Sequence, residues 1–269
     1  AVTITGSAAE DEVLTADTST LADDDGLGAF SYQWKRDDVD IDGETDSTYT
    51  LTQTDVGSAI TVNVSYTDGF DNDESVTSAA TSLVANVNDD PTGTVSISGT
   101  PTQGQVLTAS NTIADQDGMT SDTIAYQWKS NGNTIAGATN STYTLTQADV
   151  GTAITVTASY TDDQGTAESI TSAATAAVEN IDDAPTGAVT ISGTPTEDQV
   201  LTVDTSALAD DDGLGAFSYQ WKRDGNAIDG ETNSTYTLTQ TDVGSAITVN
   251  VSYTDGFSNA ESVTSAADR

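Results

Sequence analysis

The sequence predicts an all-β chain of three tandem antiparallel β-sandwich modules in an extended array. Three observations carry this. The blocks SYQWK, AYQWK and SYQWK place Trp34, Trp128 and Trp221 at spacings of 94 and 93 residues, and a STYTLTQxDVGxAITV segment follows each in the same register. Within each copy apolar residues alternate with polar ones at a period of two, as in a strand with one face on a core. Gly, Asp and Asn cluster between these segments at hairpin spacing, and no stretch carries a helical stripe. Self-similarity at a fixed period is the signature of a repeat architecture.

Seven strands are expected in the first copy, near residues 2–6, 12–18, 29–36, 39–42, 48–53, 59–67 and 75–85. The first rests on Val2 and Ile4, and its closing TITG recurs as SISG and TISG. The third pairs Tyr32 with Trp34, and the fifth pairs Tyr49 with Leu51. The sixth is the clearest: Ile60, Val62, Val64 and Tyr66 share one face, while Thr61, Asn63 and Ser65 share the other. Enrichment in Thr, Val, Ile and Tyr fits a pleated, half-buried surface. Strand position and alternation with Tyr assign all three Trp residues to the core rather than to an exposed sugar platform.

Module boundaries are expected in NVNDDPTG (residues 86–93) and NIDDAPTG (180–187), giving modules 1–90, 91–184 and 185–269, the last with its final strand cut short. Pro91 and Pro185 fix φ and extend their predecessors, so these linkers read as short and stiff. The chain reads as part of a longer protein.

Composition limits the chemistry. There is no Cys and no His, which removes thiol nucleophiles, Cys/His zinc sites and an imidazole base. Forty-three acidic residues stand against 6 basic ones, a formal charge of −37. Such a surface repels nucleic acid and anionic lipid and attracts cations. No apolar run approaches the ~20 residues of a membrane helix. Enzymes built on carboxylates alone stay open on composition, and the expectation is a non-enzymatic chain without nucleic-acid partners or membrane insertion.

A Trp on the third strand, followed by TYTLTQxDVGxA leading into a long sixth strand, resembles an immunoglobulin-like sandwich. More specifically, the segment from Tyr126 to Asn180 resembles the Ig-like or cadherin-like extender repeats of giant bacterial surface adhesins of the repeats-in-toxin, type I-secreted group. The resemblance covers all three modules. It implies an extracellular, calcium-rigidified spacer on a bacterial cell surface, serving attachment or biofilm formation. Its partners would be neighbouring repeats in a monomeric rod, with a distal glycan or protein target reached through other domains.

Acidic loops supply the candidate Ca2+ ligands. LADDDGLG, IADQDGMT and LADDDGLG, between the second and third strands, offer Asp23 and Asp25, Asp115 and Asp117, and Asp210 and Asp212. A D-x-D-G loop aims two carboxylates at one point, which suits a hard cation taking 6–8 oxygens. The same composition also makes an ordinary solvated turn. In a sandwich this loop lies at the end where the preceding linker arrives. There Asn88, Asp89 and Asp90 are expected to meet Asp115, Asp117 and Asp162 or Asp163, with Glu10, Asp11 and Asp55 coming from the preceding module. Carboxylates this close repel severely without a cation, and the convergence resembles the calcium-bridged linkers of cadherins. The second linker is expected to bind more weakly. Gln103 and Gly104 replace Glu10 and Asp11 there, leaving Asp182, Asp183, Asp210, Asp212 and Asp255.

Two further acidic features read as structural or open. Asp38-Val-Asp40-Ile-Asp42-Gly43 copies the opening of an EF-hand loop, but position twelve is Tyr49 and the alternation is that of a strand edge. Glu74, Glu168 and Glu261 recur at the start of the last strand, as loop ligands or as solvent-facing residues. The main rival to an extender is a glycan- or protein-binding array, for which Phe70 and Phe257 are the candidate exposed aromatics.

Overall fold

A computed structural model describes residues 1–119 and 123–268. The fold is all-β, with tandem immunoglobulin-like sandwiches built from antiparallel sheets. In the first repeat β1 (Thr3–Thr5), β2 (Val13–Asp17) and β5 (Thr48–Thr50) form one sheet. The other has the order β4-β3-β6-β7, from β3 (Ser31–Arg36), β4 (Val39–Asp40), β6 (Ile60–Thr67) and β7 (Asp73–Thr77).

The second repeat has the same plan. Its small sheet is β8 (Val95–Ser98), β9 (Val106–Asn111) and β12 (Thr142–Thr144). Its larger sheet is β10 (Ala125–Ser130), β11 (Asn133–Thr134), β13 (Ile154–Thr161) and β14 (Ala167–Thr171). In the third, β15 (Thr190–Ser192), β16 (Val200–Asp204) and β19 (Thr235–Thr237) form the small sheet. Its partner sheet is β17 (Ser218–Arg223), β18 (Asn226–Ala227), β20 (Ile247–Thr254) and β21 (Ala260–Thr264).

The strands follow the predicted alternation. Ile60, Val62, Val64 and Tyr66 all point into the core, where Trp34, Leu14, Leu51 and Tyr49 join them from both sheets. Each Trp is fully buried, and its indole N–H donates to a backbone oxygen at 2.9 Å: Asp46, Asn140 and Asn233 respectively. A Tyr leans on each Trp with ring centroids 5.5–5.8 Å apart. Burial of these large surfaces with their polar edges satisfied is what holds a module without disulfides.

Two elements depart from expectation. The seventh strand was expected to run to residue 85, yet β7 ends at Thr77. The chain returns to pairing only at Val84 and Ala85, through isolated parallel bridges to Val56 and Ala9. The expected strand at 48–53 stops at Thr50, because Gln53–Asp55 coils into a 3-10 turn. The EF-hand-like stretch is the β3–β4 hairpin, as its alternation indicated. Asp37 and Asp38 take φ of 44° and 67°, the left-handed values a two-residue hairpin turn needs, and Lys35 pairs with Asp40 at 2.9 Å. The expected end of the third module at Arg269 lies outside the described residues.

The chain divides into two compact units. One comprises residues 1–95, 111–126 and 157–172, and holds the first repeat, the first linker and the loops of the second repeat beside it. The other comprises 96–110, 127–156 and 173–269, and holds the second linker with its surroundings.

Candidate metal centre

Among the described residues each unit contains one cluster of three converging carboxylates, and each cluster includes a linker residue. In the first, Glu10, Asp89 and Asp117 each offer an oxygen, and the three oxygens lie within 4.8 Å of one another. Glu10 follows β1 and is 4 % exposed; its Oε2 accepts the Val87 N–H at 3.4 Å. Asp117 sits in the loop between β9 and β10 and is 2 % exposed. Its Oδ2 accepts the Asp89 N–H at 2.9 Å, while its Oδ1 is buried and has no hydrogen-bond partner.

Local geometry explains why the D-x-D-G loop presents these oxygens. Asp115 Oδ1 accepts the Asp117 N–H at 2.9 Å, and the Tyr160 hydroxyl donates to Asp115 Oδ2. Asp115 therefore braces the loop from inside, which leaves Asp117 to face the linker. Gly118, at φ 92°, makes the return, and a Cβ there would stand 2.3 Å from the Asp163 carboxylate.

The electrostatics match an oxygen cage lacking counter-charge. Burial pushes the Glu10 carboxyl up, and the charges of Asp89, Asp11 and Asp117 push it further. Asp89 is raised by burial and then by Asp117, Asp11, Asp115 and Asp90. Thus Asp11 and Asp90 act on the cluster through their charge from exposed positions. An all-oxygen donor set with a buried, unpartnered carboxylate oxygen fits a hard divalent cation such as Ca2+.

Three expected residues make contacts of their own. Asn88 Nδ2 donates to Glu168 Oε1 at 2.9 Å. Asp162 Oδ1 caps the turn after β13 by accepting Gln164 N–H and Thr166 N–H at 2.9 and 2.7 Å, while its Oδ2 is buried and has no hydrogen-bond partner. Asp55 is fully buried within its own repeat, held by Arg36, Tyr49 and Thr52. Its expected place at the linker is corrected: a half-buried Arg partner, Tyr49 and the 3-10 turn claim both of its oxygens.

In the second cluster Asp182, Asp212 and Asp255 bring their oxygens within 4.8 Å. Asp183 N–H donates to Asp212 Oδ2 at 2.7 Å, repeating the Asp89–Asp117 bond. Asp210 braces this loop as Asp115 does the other, accepting Asp212 N–H at 2.9 Å and the Tyr253 hydroxyl. Burial and then Asp255, Asp212, Asp210 and Asp183 raise Asp182. Burial would also raise Asp255, but hydrogen bonds from Asn259 and Phe257 outweigh it and hold Asp255 low. Glu261 is raised by burial and by Asp182, so Asp182 and Glu261 face the same crowd of charge.

Sequence reading did not single out Gln147 or assign Gln103 a role. Gln103 Nε2 donates to Asp183 Oδ2 at 2.6 Å, its Oε1 accepts Ile181 N–H at 3.1 Å, and Gln147 Nε2 donates to Asp212 Oδ1 at 2.9 Å. The signal was present: Gln103 is the repeat counterpart of Glu10, and Gln147 of Gln53.

A cleft of about 650 Å³ on the third repeat is lined by Glu197, Asp242, Val243, Gly244, Ile247 and Asp268 among others. In the first repeat the counterparts of Val243 and Gly244, Val56 and Gly57, pair with Val84. The cleft is thus a strand groove by position rather than a substrate pocket. Phe70 and Phe257 are 73 % and 47 % exposed, at equivalent turns of the first and third repeats.

No family model matches the chain. The highly immunogenic outer capsid protein of Enterobacteria phage T4 is 34% identical over 150 residues, which are 54% of this chain and 39% of that protein. The chain thus spans well under half the length of that relative. Among solved structures it is similar to a Ca2+-stabilized adhesin that helps an Antarctic bacterium reach out and bind ice, with 15% identity and a TM-score of 0.29, covering 97% of this chain and 69% of that one. It is also similar to a tetra-tandem repeat in the extending region of a large adhesion protein, at 17% identity and a TM-score of 0.30, covering 99% and 74% of the two chains. At such scores the fold assignment stands on the chain's own sheets. Among the described residues no helix is long and apolar enough to cross a membrane.

Proposed function

We propose that this chain is a non-enzymatic extender segment of a secreted bacterial surface adhesin, with modules 1–90, 91–184 and 185–269 made rigid at their linkers by calcium. The convergence of Glu10, Asp89 and buried Asp117 on the first linker carries the reading. A linker that brings carboxylates together costs free energy through repulsion unless a cation accompanies it. Duplicated modules in contact only with sequence neighbours gain reach without new binding chemistry. The segment serves attachment or biofilm formation outside the cell, and any glycan or protein target is met by other domains.

Small-angle X-ray scattering in calcium and then in excess chelator tests this. A compact chain of 269 residues has a radius of gyration near ~18 Å. Three sandwiches in line are expected to give roughly 30–35 Å with calcium, and a looser profile after chelation. An unchanged profile would remove calcium as the rigidifier. A compact profile in both buffers would overturn the extender.

The 34% identity to a phage outer capsid protein favours a second reading, display of the same array on a virus particle. The two readings share their junction chemistry and differ in the anchor. Genomic neighbours of the coding sequence separate them, secretion components on one side and head genes on the other.

A further inference from the structure

We infer that the two linkers are held by different devices: the first by a divalent cation, the second by two glutamine amides that stand in for one. This rests on the calcium reading of the first junction and deepens it. The junctions share a frame, since the Asp89 and Asp183 amides donate to Asp117 Oδ2 and Asp212 Oδ2 at 2.9 and 2.7 Å. They differ in what meets the remaining oxygens.

At the first linker the position after β1 is Glu10, a buried carboxylate facing Asp89 and Asp117. Asp117 is 2 % exposed and its Oδ1 has no donor, an unfavourable state for a buried carboxylate unless a ligand meets it. Gln53 Oε1 and Asn86 Oδ1 are also buried without partners. At the second linker Gln103 takes the place of Glu10. Its Nε2 donates to Asp183 Oδ2 at 2.6 Å and its Oε1 accepts Ile181 N–H at 3.1 Å, so one amide closes both edges of the linker. Gln147 Nε2 donates at 2.9 Å to Asp212 Oδ1, the counterpart of the orphaned Asp117 oxygen.

The carboxylates that remain at the second linker do not rebuild the missing site. Asp182 is exposed, and Asp255 already accepts from Phe257 N–H, Asn259 N–H and Asn259 Nδ2 at 2.7–2.9 Å. Gln147 Oε1 and Asn180 Oδ1 are buried and unpartnered, as Gln53 Oε1 and Asn86 Oδ1 are, so those features are common to both junctions. What distinguishes the first is the orphaned Asp117 oxygen beside a buried Glu10. The Glu10-to-Gln103 difference thus replaces a buried carboxylate by a donor, while the Asn88-to-Asp182 difference adds an exposed one, so the junctions differ in where the charge lies and not in how much there is.

Hydrogen exchange by mass spectrometry on the whole chain, in calcium chloride and in excess chelator, reads both linkers in one sample. Peptides covering 86–93 are expected to exchange about tenfold faster after chelation, while those covering 180–187 stay unchanged. Glu10→Gln should free the first linker from calcium, and Gln103→Glu should make the second depend on it. If calorimetry shows calcium binding and both wild-type linkers respond alike, the asymmetry is wrong and the calcium reading stands. If no calcium binds and neither linker responds, both fail. The wild-type comparison decides even if a variant folds poorly.

Discussion

Asp55 shows how far one buried carboxylate can organise a module. It is fully buried, yet its pKa is held below the ordinary range: burial pushes it up, and hydrogen bonds from Tyr49, Thr52 N–H and Arg36 outweigh that. Tyr49 is pushed the other way, to about 12, by its burial and by the same bond. Both shifts have a sign for stability. The depressed Asp55 stabilises the fold fully above its unfolded pKa, near 4, and the contribution is lost as pH falls through the lower folded value. The raised Tyr49 stabilises below pH ~10, and that contribution disappears as pH rises towards about 12. Tyr49→Phe should cost the first repeat about 1.5–3 kcal/mol, the range for a hydrogen bond to a charged group. Following the Trp34 indole N–H by NMR through a urea titration would measure it, with the Trp221 signal as the unchanged internal control. In the second repeat Ser130 replaces Arg36, and Asp149 keeps only the Tyr143 and Thr146 bonds. That difference is written in the sequence, but Asp55 is expected there at the linker and not inside its own module. Nothing in a DVG turn announces that a Tyr six residues earlier will fold over it.

At the scale of the element, strands were far more legible than loops. A period of two fixes which residues of β6 face inward, because a slip by one would expose Ile60, Val62 and Val64 together. The seventh strand was misread because Ala79, Ala80 and Leu83 carry strand-like apolarity on a segment that makes only a few backbone bonds. The glycine closing β1, β8 and β15 recurs for a reason no alternation shows. Gly6, Gly99 and Gly193 have φ of 118°, 119° and 135°, and a Cβ on each would lie 2.4–2.6 Å from the carbonyl of Val13, Val106 or Val200. Gly99→Ala is expected to destabilise the second repeat by more than the ~1 kcal/mol of a simple backbone effect, because the neighbour in contact is main chain. A drop in the urea midpoint of the Trp128 indole signal, with Trp34 and Trp221 unmoved, is the outcome that supports this.

Across the whole chain, the repeat and its charge were plain in the sequence, and so was the gathering of acid at the linkers. Which acids meet was not. Asn88 and Asp162 were grouped with Asp89 and Asp117 on loop position; Asn88 bonds Glu168, and Asp162 commits one oxygen to its own turn while the other stays buried without a partner. The glutamine contacts at the second linker were invisible because an amide can accept or donate, and only geometry decides which. Val84 and Ala85 run parallel to Val56 and Ala9, with Ala85 N–H bonded to Ala8 and Glu10 N–H bonded to Ala85 at 2.9 and 3.0 Å. Glu179 makes the same parallel contact with Pro101 and Gln103 in the second repeat. Tension applied to the two ends of such a repeat drags these paired segments past each other, so their hydrogen bonds are loaded together in shear rather than opened one at a time. Ala85→Pro removes the N–H that faces Ala8. In single-molecule pulling it should lower the rupture force of the first repeat and leave the third unchanged, while equal forces would mean that the load runs through another part of the sandwich. The few bonds that look like a frayed last strand are, under load, the clasp.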